Sequence, residues 1–315
     1  MPTALICGSM AYDTIMVFED RFKNHILPDK VHMLNVSFLV PQMRREFGGC
    51  AGNIAYNLKL LGGDPLPMAT VGQDFAPYRA WFASQGIRLD QVRELPEAFT
   101  AQAFITTDKD NNQITAFHPG AMGQSQLNRV TDVADVAIGI VAPDGRDGML
   151  EHARDFAARG TPFIFDPGQA MPLFNGEEFR AFIEQADYVA ANSYEASLLT
   201  ERTGWSETEI AARVKAYIVT HGAEGSVIHA DGTSHEIPVA KPREVVDPTG
   251  CGDAYRAGLL YGILKGCDWP ITGRIASLMG ALKIAHPGTQ HQRFTLDEFR
   301  SEFKAQFGYE LKAQS

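Results

Sequence analysis

The sequence predicts an α/β protein with a mostly parallel central sheet and a small β lid. Three observations predict it. The chain opens on a short apolar run, TALICGS at 3–9, that ends in glycine and reads as a buried strand. From Val136 onward, short apolar runs alternate with helix-length segments, a rhythm that implies right-handed crossovers and a parallel sheet covered on both faces. Two stretches, 14–47 and about 99–119, break that rhythm with strands that no helix follows.

Taken in order, TALICGS is the first strand, and 14–47 is mixed polar and aromatic with β-like pieces such as VHMLNVSFLV. GGCAGNIAYNLKLLGG at 48–63 is a helix between glycines, with Ile54, Leu58 and Leu61 at helical spacing. PLPMATVG then reads as a strand, and APYRAWFASQG as a helix closed by Gly86. TAQAFITTD and NQITAFHPG alternate as strands do, are separated by the turn-rich DKDNN, and return to the lid. Strand and helix then alternate through VAIGIVAP and RDGMLEHARDFAARG, TPFIFDPG and GEEFRAFIEQA, and DYVAAN and SYEASLLTERTG. KAYIVTHG leads into a hairpin at Asp231 and Gly232, and the tail is helical over 251–265, 271–285 and 296–306. With no repeat, low-complexity run or linker, 1–315 is expected to be one domain carrying a lid from 14–47 and 99–119.

A net charge of −10 argues against a nucleic-acid-binding face, which needs a basic surface. Cys7, Cys50, Cys251 and Cys267 have neither paired metal-ligand spacing nor a disulfide-dense pattern. The N-terminus lacks a signal-peptide pattern, and no apolar stretch approaches the roughly 20 residues of a membrane span. A soluble cytoplasmic protein is the expectation.

In a parallel α/β sheet, ligands bind beyond the carboxyl ends of the strands. Asp13, 48–53, Asp166, Asn192 with Glu195, 220–225 and 247–253 all follow predicted strands. The Walker loop, the dinucleotide fingerprint, the zincin motif and the nucleophile elbow are absent. What stands out is VVDPTGCGDAYRAG at 245–258. Gly250 and Gly252 leave backbone N–H groups bare at a helix start, which makes an anion nest. A carboxylate beside it, Asp253, can take a proton from a hydroxyl that attacks phosphorus. The plainer alternative is a glycine-rich helix entry with Asp253 facing the helix dipole.

VVDPTGCGDAYRAG resembles the second signature of the ribokinase-like (PfkB) carbohydrate and nucleoside kinases, D-T-x-G-A-G-D, with Pro248 for Thr and Cys251 for Ala. EFGGCAGNIAYNLKLLG resembles the first signature, G-G-x-x-x-N-x-A, and GSMAYD, NSYEA and VTHGAEG fall in family order. The resemblance implies a three-layer ribokinase-like fold, with Asp253 as catalytic base and Gly250, Cys251 and Gly252 as the anion hole. It also implies acceptor binding by Asp13, Gly48, Gly49 and Asn53, and ATP binding by Asn192, Thr220, Gly222 and Gly225. Glu195 would act on Mg²⁺ through water, and Asp247, with Thr249 and the backbone of 286–288, matches the monovalent-cation (K⁺) site of some relatives. Simpler readings stand beside these: a capping box at Asn192 and Glu195, a hairpin turn at 220–225, and an Asx turn at Asp166.

For the acceptor, NNQITAFHPGAMGQ and FDPGQ resemble the nucleoside kinases of the family, and Phe18, Phe22, Met33 and Phe38 offer rings and a thioether to stack on a base or to pack the lid. The resemblance therefore implies an ATP- and Mg²⁺-dependent, adenosine-like nucleoside kinase. The lid aromatics can equally pack on a second subunit, which makes a homodimer through the lid a candidate assembly. A ribokinase- or fructokinase-type sugar kinase is the alternative. A catalytically silent binding regulator is a third, opposed by the intact Gly-Cys-Gly-Asp.

Overall fold

The computed structural model describes residues 2–26, 35–110 and 112–311. The chain begins β1 (Thr3–Cys7), β2 (Ala11–Val17), β3 (Gln42–Gly48), α1 (Cys50–Leu60), β4 (Asp64–Gly72) and α2 (Ala76–Ser84). It continues β5 (Gln91–Leu95), β6 (Ala101–Thr107), β7 (Gln113–His118), β8 (Val136–Val141), α3 (Arg146–Arg159), β9 (Phe163–Phe165) and α4 (Gly176–Gln185). Then come β10 (Tyr188–Asn192), α5 (Ser193–Thr203), α6 (Glu207–Ala211), β11 (Ala216–Thr220), β12 (Ser226–Ala230) and β13 (Thr233–Ile237). The tail forms α7 (Cys251–Leu264), α8 (Trp269–Ile284) and α9 (Leu296–Phe307).

Nine strands form one sheet in the order β13-β12-β11-β10-β9-β8-β1-β4-β5. Pairing is parallel from β5 through β11 and antiparallel at β12 and β13. Alternation along the central strands sorts their side chains between two apolar layers. Ala4 and Ile6 join α1, α2, α7, α8 and α9, whereas Leu5 and Cys7 join α3, α4, α5 and α6. The expected three layers are therefore present. The hairpin at Asp231 and Gly232 is present too, both residues having positive φ (52° and 71°) as a two-residue type I′ turn needs.

A second sheet of four strands, β3-β2-β6-β7, lies in the regions where the sequence breaks rhythm. Its register puts Glu46, Asp13, Ala103 and Phe117 in one cross-strand row on one face. Met43, Phe104 and Ile114 share the opposite face and are exposed.

Several expectations need correction. Asp13, expected to follow the first strand directly, is the third residue of a further strand, β2, which belongs to the second sheet. Of VHMLNVSFLV, 31–34, including Met33, lie outside the described residues, and 35–40 carry no regular structure. A strand needs a partner, and the edge of β2 is taken instead by β3 at QMRREFG. Strand β5 was not anticipated: QVREL is short, charged and only half-buried at the sheet edge. Phe18, Phe22 and Phe38 pack on one another with ring centroids 4.7–5.8 Å apart, so they knit the lid segment together. Among the described residues no helix is long and apolar enough to cross a membrane.

Candidate active site

Gly250 enters α7 in the left-handed conformation (φ 78°) that glycine adopts at no steric cost, and so swings the chain from the preceding loop into the helix. Cys251 N–H closes this turn on the Pro248 carbonyl at 3.2 Å. The N–H groups of Gly252 and Asp253 have no acceptor among the described residues. A Cβ on Gly252 would meet nothing within 4 Å, so the helix start is uncrowded on that side. Cys251, expected to donate to the anion hole, therefore has its N–H engaged within the turn, and burial pushes its thiol up to about 11, which keeps it neutral.

Asp253 stands in the first turn of α7. Burial, reinforced by the nearby Asp166 charge, raises its carboxyl to about 7 against the opposing effects of Asn53 and Arg256. Asn53 Nδ2 donates to Asp253 Oδ2 at 2.8 Å, and that orientation is fixed from a distance. Trp81 Nε1–H can only donate, and it donates to Gln290 Oε1 at 2.9 Å. Gln290 therefore presents its Nε2 to Asn53 Oδ1 (3.0 Å) and to the Tyr78 hydroxyl (2.6 Å). With Oδ1 so engaged, Asn53 must turn its amide nitrogen toward Asp253. Tyr78 in turn donates to the Gly48 carbonyl at 2.9 Å, where lid strand β3 hands over to α1. The approach of Tyr78 also explains Gly52: a Cβ there would fall 1.9 Å from the phenol oxygen.

The residues assigned to the acceptor thus divide. Asn53 is only 4% exposed and braces Asp253. Asp13 has no hydrogen-bond partner among the described residues; burial, with Glu46 and Asp247 beside it, raises its carboxyl to about 6. Its Oδ2 lies 2.7 Å from where a Cβ on Gly48 would be. Gly49 has φ 85°, and its ideal Cβ would come within 2.7 Å of the backbone of Ser9, Met10 and Ala11, so glycine is required there twice over. The buried Tyr78 hydroxyl is pushed well up, by burial first and then by the charges of Asp13 and Asp253, so both carboxylates share its surroundings.

On the opposite side, Asn192 and Glu195 do form the capping box of α5: Asn192 Oδ1 accepts from Glu195 N (2.9 Å) and Asn192 N donates to Glu195 Oε2 (2.8 Å). Glu195 Oε1 has no partner among the described residues, and burial with Asp166 nearby raises this carboxyl. Asn192 pairs with Thr220 in the β10–β11 register, so the two predicted donor-side motifs meet at the carboxyl edge of the sheet. Gly222 (φ 59°) and Gly225 (φ 96°) shape the turn into β12 that was the simpler reading of this stretch. Asp166 makes no Asx turn of note; both its oxygens accept from buried Arg256 at 3.1 Å, and Arg256 also reaches the Ala190 carbonyl.

Asp247 braces the loop ahead of α7. Its Oδ1 accepts from Thr249 N and its Oδ2 from Gly288 N, both at 2.9 Å. Burial works against its charge, but these donors and the Lys283 ammonium outweigh it and hold the carboxyl below its usual range. Lys283 Nζ itself donates to the Asp247 carbonyl at 2.6 Å and the His286 carbonyl at 3.3 Å. Among the described residues no group of three or more His, Cys, Asp or Glu is disposed to hold a metal ion.

Trp81, Tyr78, Gln290, Arg256 and Lys283 are not among the site residues expected from the sequence. For Arg256 and Lys283 a signal exists: each is a lone charge on a buried stretch of an apolar helix, in AYRAGLL and GALKIA, and buried charges need partners. For Gln290 there is none.

Residues 9–295 match the family described as pfkB family carbohydrate kinase. A nucleoside kinase of Methanocaldococcus jannaschii is 33% identical over 271 residues, covering 84% of this chain and 87% of that protein. A nucleoside kinase of Burkholderia thailandensis, solved in complex with inosine, superposes with a TM-score of 0.89 at 54% identity over 98% of this chain and 100% of that one. The same enzyme in complex with ADP-inosine gives a TM-score of 0.87 at 55% identity, with 99% of each chain covered. Matched over nearly its whole length in sequence and in fold, the chain belongs to the pfkB family of carbohydrate kinases, and it is a kinase.

Proposed function

We propose that this kinase transfers the γ-phosphoryl group of ATP to the 5′-hydroxyl of a purine nucleoside, adenosine-like, with Asp253 as general base. The observation that carries the reading is Asp253 itself, a carboxyl raised to about 7 at a helix N-terminus whose neighbouring N–H groups lack acceptors. A base is most effective when its pKa lies near working pH. The acceptor oxygen attacks γ-phosphorus in line, its proton passes to Asp253, and the bond to the β-phosphate oxygen breaks to release ADP. Asn53 holds Asp253 Oδ2, which leaves Oδ1 for that proton. The free N–H groups of Gly252 and Asp253 receive the charge on the transferred group.

Asn192, Thr220, Gly222 and Gly225 are placed for the nucleotide at the carboxyl edge of β10 and β11. Mg²⁺ retains most of its waters and needs only one or two carboxylates beside the phosphates. The unengaged oxygen of Glu195 fits that role, and the ion would neutralise phosphate charge there. The lid bearing Asp13 closes over the acceptor and excludes water, which otherwise competes for the phosphoryl group.

Support for a nucleoside comes from the lid. Phe117 is 54% exposed and shares the face and the row of Asp13, two strands or about 10 Å away. Asp13 can accept from ribose hydroxyls while Phe117 stacks on the base. The inosine and ADP-inosine complexes of the Burkholderia enzyme support the same substrate class. The far face of the lid, with Met43, Phe104 and Ile114 exposed, offers an apolar surface for a second copy. Turnover of ATP against a panel of nucleosides and free sugars tests the reading: purine nucleosides are expected to be the best acceptors, and a preference for ribose or fructose overturns it.

A further inference from the structure

Helix α8 runs through the apolar layer beneath the loop that leads into α7, and Lys283 near its end is fully buried. An ammonium out of water demands acceptors. Here it finds the carbonyls of Asp247, at 2.6 Å, and His286, at 3.3 Å, which converge on it from the two loops that Asp247 also ties together. Those are the backbone and the loops expected to hold a monovalent cation, and K⁺ is bound in proteins by convergent carbonyl oxygens of this kind. Ammonium and K⁺ are close in size, so one position cannot hold both.

We propose that the Lys283 ammonium replaces the monovalent cation, so that this kinase works without K⁺, its anion hole being braced by a covalently tethered charge. Lys283 is a positioning residue: it reaches no reacting atom but holds the Asp247 carbonyl, and with it the turn through Pro248 to Gly250 from which the N–H groups of Gly252 and Asp253 are presented. Burial lowers its pKa while the Asp247 charge supports it, and both contacts require the N–H donors that the ammonium supplies. This rests on the assignment of the anion hole given above, not on the identity of the acceptor.

The test begins with the native enzyme in tetramethylammonium salts, titrated with KCl at constant ionic strength. Its kcat is expected to stay within about twofold, whereas activation beyond about tenfold by K⁺ overturns the proposal. In Lys283→Met, kcat without K⁺ should fall roughly 10–100-fold, the worth of a hydrogen bond to a charged group. K⁺ or ammonium chloride should restore most of the loss, and Na⁺, Li⁺ or choline should not. A folded variant that no ion rescues shows Lys283 to be a helix-end packing group only, and the proposal fails. Should the variant not fold, the native titration decides alone. Melting temperature provides a readout independent of any acceptor: K⁺ should raise that of Lys283→Met and not that of the native protein, and a K⁺-specific rise in the native protein contradicts the assignment.

Discussion

Replacing Gln290 by leucine tests whether the base is tuned from a distance. Gln290 is 2% exposed, accepts from Trp81 Nε1 and donates to both Asn53 and Tyr78. Gln290→Leu keeps most of the volume but strands the indole N–H and Asn53 Oδ1, at about 1–3 kcal/mol for each unsatisfied group. The melting temperature should drop accordingly. The sharper consequence is electrostatic. With nothing to hold its carbonyl, the Asn53 amide is free to turn, and Asp253 loses the 2.8 Å donor that favours its charged form. A hydrogen bond to a charged group is worth about 1.5–3 kcal/mol, or roughly one to two pK units. The base has to be ionised to accept a proton, so its limb in kcat/KM against pH moves upward. From about 7 in the native enzyme the limb should move to roughly 8–9, with activity at neutral pH down by about one to two decades and largely recovered at high pH. The assay is the pH profile of kcat/KM, taken below the melting temperature of the variant. A uniform loss across pH, with the limb still near its native position, would show that Gln290 does not tune Asp253.

Asp13→Ala should raise the acceptor KM by about one to two decades and leave the ATP KM unchanged, since it removes a charged acceptor from the hydroxyls. A 2′-deoxynucleoside should lose affinity with the native enzyme and little more with the variant, and an equal rise in both KM values would place the acceptor elsewhere. Phe117→Ala should cost about 1–3 kcal/mol in nucleoside binding, the worth of a base–aromatic stack, and leave free ribose unaffected; an unchanged nucleoside KM excludes the stack. Asp253→Asn should also report on stability. The folded pKa of Asp253 lies above its unfolded value, so its contribution is full at low pH and lost as pH rises through about 7. The variant has no proton to lose and should melt higher than the native protein above that pH, the advantage fading toward acid; no pH dependence in the difference would count against the raised pKa.

Much of this site was legible because its demands are made on the backbone. Gly49 and Gly250 occupy conformations, and Gly52 a spacing, that other residues cannot, so the chain has to show glycine there. The parallel core was legible because strands covered on both faces, such as β8 and β10, are apolar along their length. What was hidden depends on convergence. Asn53 and Asp253 meet across 200 positions and Gln290 reaches Asn53 across 237, with nothing local to mark Gln290 as more than a polar tail residue. Asn53 therefore read as an acceptor ligand, and its hydrogen bond to Asp253 left no local trace in the sequence. The lid was legible as a break in rhythm but not in its strand boundaries, because β7 is exposed throughout and β3 is mostly polar, which leaves periodicity little to act on.

Whether Asp253 takes the proton of the attacking hydroxyl is read most directly from kcat of Asp253→Asn with ATP and a purine nucleoside. The substitution keeps the shape of the side chain and can still accept from Asn53 Nδ2. The kcat is expected to fall by roughly 10²–10⁴, the usual worth of a positioned base, while ATP affinity is unchanged. A folded variant that retains more than about half of the native kcat would contradict that role.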